Sequence, residues 1–164
     1  MAETLCVIAL GGNLGDVPAA FRRACEALSN AGFRIRRFSS PLRTEPVGCE
    51  PGAPVFTNAA LSGFWDGTAH DLLRLCQKIE ADNGRPNDHA HHVSRTLDLD
   101  IITFGRETVR LPDLTVPHPE AARRDFVMLP LREIEPELAD WLAEQAKVRA
   151  DSGSPGGNSD KTSR

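Results

Sequence analysis

The 164-residue sequence predicts an α+β domain, and three observations support that prediction. A hydrophobic content of 40% beside 26% charged residues is typical of a chain that buries one core in water. Apolar runs with strand character alternate with two stretches whose apolar residues recur at helical spacing. The predicted order is strand, helix, strand, strand, helix, strand, which is typical of the split βαβ, or ferredoxin-like, arrangement.

The chain begins with an apolar run, TLCVIALG, which predicts a central strand that ends at Gly11 and Gly12. Apolar residues then recur at helical spacing over residues 17–31 and predict an amphipathic helix. Asp16 is the expected cap of this helix, and Gly32 is the expected stop.

The middle of the chain continues the alternation of strands and helices. Residues 33–40 alternate apolar and basic side chains and predict a second strand. Residues 41–56 contain four prolines and two glycines, so we expect a long irregular loop there. Residues 56–65 have strand character, and the second helix that follows is expected to be capped by Thr68 and to end at Gly84.

The remainder predicts an added hairpin and a C-terminal helix. After the strand TLDLDIITF, Gly105 and Arg106 form an expected hairpin turn that leads to a strand over 107–111. A loop with a short helix follows, and the sequence ELADWLAEQAKV predicts a terminal helix. We expect a single domain over residues 1–148 and a flexible polar tail over 149–164.

Charge and cysteine content limit the kinds of protein that this chain represents. A net charge of -4 with scattered basic residues argues against nucleic acid as a partner. The sequence shows neither a signal peptide nor a membrane span, so we expect a cytoplasmic protein that does not act on membranes. We also expect a monomer. The four cysteines lack paired spacing, and we expect them to be reduced.

Asp98 and Asp100 are the most informative residues, because two carboxylates are unusual on a strand whose other residues predict burial. Side chains alternate along a strand, so both aspartates share one face while Leu97, Leu99 and Ile101 share the other. Their Cα atoms should lie about 6.6 Å apart. Two like charges about 5 Å apart repel by about 3 kcal/mol at an effective dielectric near 20. A cation must offset this repulsion.

The residues alone leave two interpretations open for this cation. Arg95 can balance the aspartates in a surface salt-bridge network. Alternatively, the two carboxylates hold Mg²⁺, which prefers one or two carboxylates together with phosphate and water oxygens. In that case Arg95 is free to bind phosphate beside the metal.

Several sequence motifs, taken together with their order along the chain, resemble those of the 6-hydroxymethyl-7,8-dihydropterin pyrophosphokinase family. The segments that carry the resemblance are IALGGNLGD, RTEPVG, TNAAL, RTLDLDIITFG and VPHP, and they cover most of the chain before the tail. The resemblance implies transfer of pyrophosphate from ATP to the hydroxymethyl group of the dihydropterin, with release of AMP. It also implies Mg²⁺, expected as two ions, and ATP as co-substrate.

The resemblance further implies three sets of site residues. The implied catalytic residues are Asp98, Asp100, Arg95 and Arg85, and the two aspartates are the implied metal ligands. The implied ATP-binding residues are Glu80, Arg95, Ile101, Thr115, His118 and Arg124. The implied pterin-binding residues are Thr44, Val47, Phe56, Asn58 and Phe126. Gly11, Gly12 and Asn13 are expected to shape a turn beside the pterin pocket.

Other interpretations exist for some of these residues. Asn offers both a donor and an acceptor to a heterocycle, and an aromatic ring can stack on it, which suits Asn58 and the two phenylalanines. Phe126 can equally be a core residue, Asn58 a turn residue at a strand edge, and His118 a loop histidine bonded to backbone.

The sequence departs from the family pattern in the loop before Arg95. Asn87 stands where a further arginine is common, and residues 91–94 (HHVS) replace an arginine-aromatic-Gly-Pro segment. One hypothesis is that protonated His91 and His92 replace the missing arginines; a solvated loop is the other interpretation. His89 belongs to the same cluster.

Two other functions stay open at this point. A palm-like nucleotidyltransferase also holds paired metal-binding aspartates on a ferredoxin-like sheet, although the acidic chain argues against a nucleic-acid substrate. A divergent, catalytically weakened pterin- or nucleotide-binding homologue is favoured by the loop that is poor in arginine.

Overall fold

The computed structural model describes residues 3–45, 55–84 and 97–153, which form an antiparallel sheet with helices on both faces. The strands are β1 (Thr4–Gly12), β2 (Arg34–Phe38), β3 (Leu42–Thr44), β4 (Phe56–Trp65), β5 (Asp98–Phe104), β6 (Val109–Leu111) and β7 (Leu114–Val116). The helices are α1 (Val17–Asn30), α2 (Ala69–Asp82), α3 (Asp125–Ile134) and α4 (Pro136–Gly153), with a 3-10 helix at Ala121–Arg123.

The main sheet has the strand order β2-β4-β1-β5, with every neighbouring pair antiparallel. This order, with α1 and α2 as the two crossovers, is that of a split βαβ fold. The predicted α+β, ferredoxin-like class is therefore confirmed, and both the added hairpin and the C-terminal helix are present.

The ends of the first two helices follow the capping signals in the sequence. The Asp16 side chain accepts a hydrogen bond from the Ala19 amide at 3.1 Å, and the Thr68 hydroxyl accepts one from the Asp71 amide at 3.0 Å. Each bond satisfies an amide that the first helical turn leaves without a partner. Gly32 and Gly84 follow the helix ends with positive φ angles of 102° and 92°.

Two apolar clusters pack on opposite faces of the sheet. On one face α1 and α2 cover residues such as Ile8, Leu10 and Leu61. On the other face α3 and α4 cover Val7 and Ile102. Among the described residues, α3 and α4 close part of this second face, and the end near Gly11 and Asp98 is left for a site.

Four predicted features differ from the structure. Leu42–Thr44 forms β3, although we expected a loop throughout 41–56. The expected hairpin of β5 with residues 107–111 is not formed, because β6 pairs with β7 in a separate two-stranded sheet. Helix α3 was not predicted, since Pro130 interrupts its sequence pattern. Helix α4 continues to Gly153, beyond the expected boundary at residue 148.

The thiols of the described residues are free, as expected. Cys6 and Cys76 are buried, and burial raises the pKa of the Cys6 thiol to about 12. Cys25 is partly buried, and burial also raises its pKa. Cys49 and residues 154–164 of the expected tail lie outside the described residues. None of the described helices has the length and apolar character of a membrane span.

The edge strand β2 carries three arginines that are tied to other elements. Arg34 pairs with Glu3, Arg36 lies 3.2 Å from Glu135, and Arg37 donates to the Ile134 carbonyl at 2.7 Å. Glu135 is buried at the junction of α3 and α4 and also accepts a 2.7 Å hydrogen bond from Ser62. The bonds of Arg36 and Arg37 fasten the second helical layer to the outer strand of the sheet.

Ser39 joins β2 to β3 along one side of β4, and its removal should destabilise the fold. Its amide donates to the Ala60 carbonyl and its hydroxyl accepts from the Ala60 amide, both at 2.9 Å. We expect Ser39→Ala to lower the free energy of unfolding by about 1–3 kcal/mol, because the buried Ala60 amide loses its acceptor.

Denaturant unfolding measures this change. The exposed neighbour Ser40 offers a matched control, and Ser40→Ala should cost roughly 0.5 kcal/mol or less. Equal losses for the two variants would contradict the role given to the Ser39 hydroxyl.

Candidate active site

Asp98 and Asp100 lie at the start of β5 and share one face of the sheet, as the alternation predicted. Both are half-buried, whereas Leu97, Leu99 and Ile101 are buried in the core under α1 and α2. Strand β5 is the edge strand beside β1, so the aspartates stand at the margin of the sheet. The expected placement of the two carboxylates on one face is confirmed.

The register of the three neighbouring strands places the candidate residues in rows across the sheet. Gly11 of β1 pairs with Asn58 of β4 on one side and with Asp98 of β5 on the other. Neighbouring strands lie about 4.8 Å apart, so the Asn58 and Asp98 backbones are separated by about 10 Å. In the next row Ala9 lies between Ala60 and Asp100.

A cleft opens above these rows, beyond the ends of α3 and α4. Its described lining residues are Ala9, Leu10, Gly11, Asn58, Asp98, Asp100, Ile102, His118, Arg124, Phe126 and Val127. Glycine and alanine on β1 form the floor, while polar and aromatic side chains form the walls. The cleft therefore brings together the predicted metal residues, one predicted pterin anchor and three further predicted site residues.

Asn58 is nearly buried and is held in one orientation by Thr44. Its Nδ2 donates to the Thr44 hydroxyl at 2.9 Å, and the two residues lie on the paired strands β3 and β4. Because this bond occupies one N–H, the amide oxygen and the second N–H are the groups that Asn58 can present to a ligand.

Phe126 and Arg124 form the wall at the start of α3. The Arg124 guanidinium lies 5.7 Å from the centre of the Phe126 ring, within the range of a cation-π contact. The Phe126 side chain is 38% exposed, so a large part of its ring surface faces solvent. Phe56 is half-buried on β4 and does not belong to the described lining of the cleft.

His118 reaches the cleft because of an irregularity in β5. The pairing of β1 with β5 shifts between Val7 and Ile8, which leaves Ile102 as an extra residue, a β-bulge. The Ile102 carbonyl accepts a 2.9 Å hydrogen bond from the His118 amide. This bond fastens the loop after β7 to the strand that carries the aspartates.

The surroundings of His118 lower the pKa of its imidazole and so favour the neutral ring. Burial lowers its pKa, Arg124 lowers it further, and Asp98 partly opposes this. Its Nδ1 accepts a 3.1 Å hydrogen bond from the Glu120 amide, so the proton of the neutral ring is on Nε2. The ring therefore offers an N–H donor.

Glu80 supports the aspartate strand from α2. Its Oε2 accepts a 2.7 Å hydrogen bond from the amide of Leu99, the residue between the two aspartates. Alternate amides of an edge strand point away from the sheet and need an acceptor. Glu80 provides that acceptor, so it fixes the backbone from which both carboxylates extend.

Ile101 and Thr115 are predicted site residues that are not among the described residues lining the cleft. The Ile101 side chain is buried in the core under α1 and α2, and Thr115 is exposed on β7, opposite Arg110. Gly11 and Gly12 belong to β1, so the expected turn begins only after them. Arg85, Arg95, Val47 and the histidines of residues 89–92 lie outside the described residues.

Sequence reasoning missed the floor and the back wall of the cleft. Ala9, Ile102 and Val127 carry no reactive group, and α3 was not predicted at all. Alternation along β1 was one signal in the sequence that could have revealed the floor of the cleft, because Ala9 and Gly11 are the small residues on the face opposite Ile8 and Leu10.

The described donors suit a hard cation that shares its ligands with a substrate. The described residues contain no group of three or more His, Cys, Asp and Glu side chains arranged around a metal. Two carboxylates alone cannot saturate Mg²⁺, which keeps water and phosphate oxygens as its other ligands. The set therefore fits a metal that arrives with a polyphosphate.

Comparison with known proteins gives an independent assignment. A family model described as 7,8-dihydro-6-hydroxymethylpterin-pyrophosphokinase matches residues 7–136, a span that contains the whole described cleft.

Individual relatives agree with the family match. A 2-amino-4-hydroxy-6-hydroxymethyldihydropteridine pyrophosphokinase of Bacillus subtilis (strain 168) is 39% identical over 90% of this chain and 90% of the relative. A protein of the same name from Porphyromonas gingivalis is 34% identical, over 85% of this chain and 93% of the relative. A folate synthesis bifunctional protein of Arabidopsis thaliana is 35% identical over 78% of this chain, which spans only 26% of that relative.

The bond from Leu99 to Glu80 should be visible in hydrogen exchange. We expect Glu80→Ala to speed exchange of the Leu99 amide, with the free energy of local opening reduced by about 1 kcal/mol or more. Glu80→Gln keeps a side-chain oxygen as acceptor and should retain most of the protection. The Gly105 amide, which donates to Leu5 at 2.8 Å, serves as the unchanged reference. Unaltered exchange at Leu99 in Glu80→Ala would refute this support.

The pKa of His118 should lie below its ordinary value of 6.5. An unfolded chain then takes up the proton at higher pH than the folded protein. The contribution of His118 to the free energy of unfolding should therefore fall as the pH drops below 6.5. It should stop falling once the pH is below the pKa of His118 in the folded protein. We expect NMR titration of the His118 imidazole to give a pKa below 6.5. We expect Arg124→Ala to raise that pKa. Arg132→Ala, at a residue that pairs with Asp140 outside the cleft, is the control. A folded pKa at or above 6.5 would contradict the expectation.

Proposed function

The chain belongs to the 7,8-dihydro-6-hydroxymethylpterin-pyrophosphokinase family, and from this premise we propose how its residues perform the reaction. It is an ATP-dependent diphosphokinase of folate biosynthesis, which transfers pyrophosphate from ATP to the hydroxymethyl group of 6-hydroxymethyl-7,8-dihydropterin and gives AMP. The main support for the proposed mechanism is the strand register, which places Gly11 between Asn58 and Asp98 in one row across the sheet.

Asp98 and Asp100 are the proposed ligands of Mg²⁺, expected as two ions. Bound Mg²⁺ would supply positive charge that balances the two carboxylates and the triphosphate of ATP. The support for this assignment is chemical: both carboxylates are half-buried on one face of β5 and line the cleft. Glu80 contributes by fixing the backbone between them.

Asn58, held by Thr44, is proposed to bind the polar edge of the pterin, and Phe126 to stack on its ring. An amide with a fixed orientation presents its donor and its acceptor in one defined order, which selects for a matching heterocycle edge. The exposed ring surface of Phe126 suits a flat aromatic ligand. Phe56 and Val47 are proposed to complete this pocket; Phe56 shares the Asn58 face of β4 through strand alternation.

His118 and Arg124 are proposed to contact the phosphates of ATP. The neutral imidazole offers its Nε2 proton, and the guanidinium offers several donors to a phosphate. Both residues line the cleft beside Asp98. Arg85 and Arg95 are proposed to add positive charge at the transferring group, and Glu80, Ile101 and Thr115 to meet the nucleoside. Thr115 has the weakest support, because it is not among the described lining residues.

The reaction then needs positioning and charge balance, and no covalent bond to the protein. The pterin hydroxymethyl oxygen attacks the β-phosphorus of ATP and loses its proton to water, the bond from that phosphorus to the α-phosphate oxygen breaks, and AMP leaves. The chain's own residues hold the two reactants at opposite ends of one row and keep the attacking oxygen near the triphosphate.

The family assignment leaves no support for a palm-like nucleotidyltransferase. We propose that the enzyme works as a monomer on small molecules and does not require nucleic acid. The cytoplasmic location expected from the sequence stays a prediction, as does the division into a domain over 1–148 and a tail.

Replacement of a proposed metal ligand should abolish the reaction and leave the fold intact. We expect Asp98→Ala and Asp100→Ala to lower turnover by roughly 10²-fold or more, because charge stabilisation at the transferring group is lost. The measurement is AMP release from ATP that depends on 6-hydroxymethyl-7,8-dihydropterin.

Asp82→Asn is the matched control, since Asp82 is exposed on α2 and pairs with Lys78 outside the cleft. This variant should keep normal turnover. Near-normal turnover of Asp98→Ala would overturn the metal assignment. Absence of AMP release from the unaltered protein would instead support the alternative of a catalytically weakened homologue.

A further inference from the structure

We propose that Gly11 is a specificity-determining residue, whose missing side chain leaves the passage through which the substituent at position 6 of the pterin reaches the triphosphate. This inference rests on the proposed function, because it takes Asn58 as the pterin anchor and Asp98 as a metal ligand. It adds a role for a residue that carries no functional group.

The position of Gly11 in the sheet is the first argument. Gly11 pairs with both Asn58 and Asp98, and it lines the cleft. Ile8 and Leu10 of the same strand point into the core under α1 and α2, so alternation directs the Gly11 position toward the other face. A side chain here would stand between the two proposed half-sites.

The backbone gives no other reason for glycine at this position. Gly11 lies inside β1, and it is absent from the glycines with positive φ, which are Gly15, Gly32, Gly84 and Gly105. Glycine weakens the interior of a strand because it adds entropy to the unfolded chain and packs no side chain. The remaining reason for glycine at position 11 is that it leaves the space above the strand empty.

The space itself is the second argument. A Cβ placed on Gly11 would lie 3.3 Å from Asn58 Oδ1, which is the ligand-facing oxygen of the amide. Asn58 cannot turn away freely, because its Nδ2 is bonded to Thr44 at 2.9 Å. A methyl group at position 11 would therefore both narrow the passage and press on the proposed pterin anchor.

Steady-state kinetics of Gly11→Ala and Gly11→Val test the inference. We expect Gly11→Ala to lower kcat/KM for the hydroxymethyl-dihydropterin at least tenfold while KM for ATP stays within twofold. The larger side chain of Gly11→Val should lower kcat/KM further. A merely structural role would change both substrates' constants together with the unfolding temperature.

Val7→Ile is the matched control, since it adds one methylene on the same face of the same strand but under α3 and α4. It should change stability without changing KM for the pterin. The inference is overturned if Gly11→Ala, folded by thermal unfolding, keeps kcat/KM for the pterin within twofold of the unaltered protein. If the unaltered protein releases no AMP, the proposed function fails. The inference about Gly11 is then tested by direct binding of 6-hydroxymethylpterin to the unaltered protein and to Gly11→Ala. Equal affinities of the two proteins would overturn the inference.

Discussion

The pairing of β1 with two neighbours is the constraint on which the rest of the molecule depends. As a central strand, β1 binds β4 along one side and β5 along the other, so their registers are fixed relative to each other. A shift of one residue in either pairing would turn an entire set of side chains to the opposite face. Asn58 and the aspartates are far apart in sequence, yet they share one face because both registers are set by the same strand.

The sequence was sufficient for the fold class and for naming six of the described residues that line the cleft. Alternation along TLDLDI predicted the shared face of Asp98 and Asp100, and the caps at Asp16 and Thr68 predicted where α1 and α2 begin. The motif-based resemblance was confirmed by the family match over residues 7–136.

The features that were not predictable depend on contacts between distant segments. Helix α3 contains Pro130 and owes its stability to packing on the sheet, which a local pattern does not reveal. The bulge at Ile102 is joined by a hydrogen bond to the His118 amide, a contact between separate segments that the local sequence does not reveal. Gly11 looked like a turn residue because a glycine pair usually marks a turn, and its true setting needed the partners on both sides.

The three arginines of β2 have a consequence for how copies of the protein behave toward one another. An outer strand with free backbone groups is a template on which another chain can add a strand. Here Arg34, Arg36 and Arg37 place charge along that margin and engage Glu3, Glu135 and the Ile134 carbonyl. A second sheet would have to displace two ion pairs and the hydrogen bond of Arg37 to dock, so we expect β2 to disfavour edge-to-edge aggregation at high concentration.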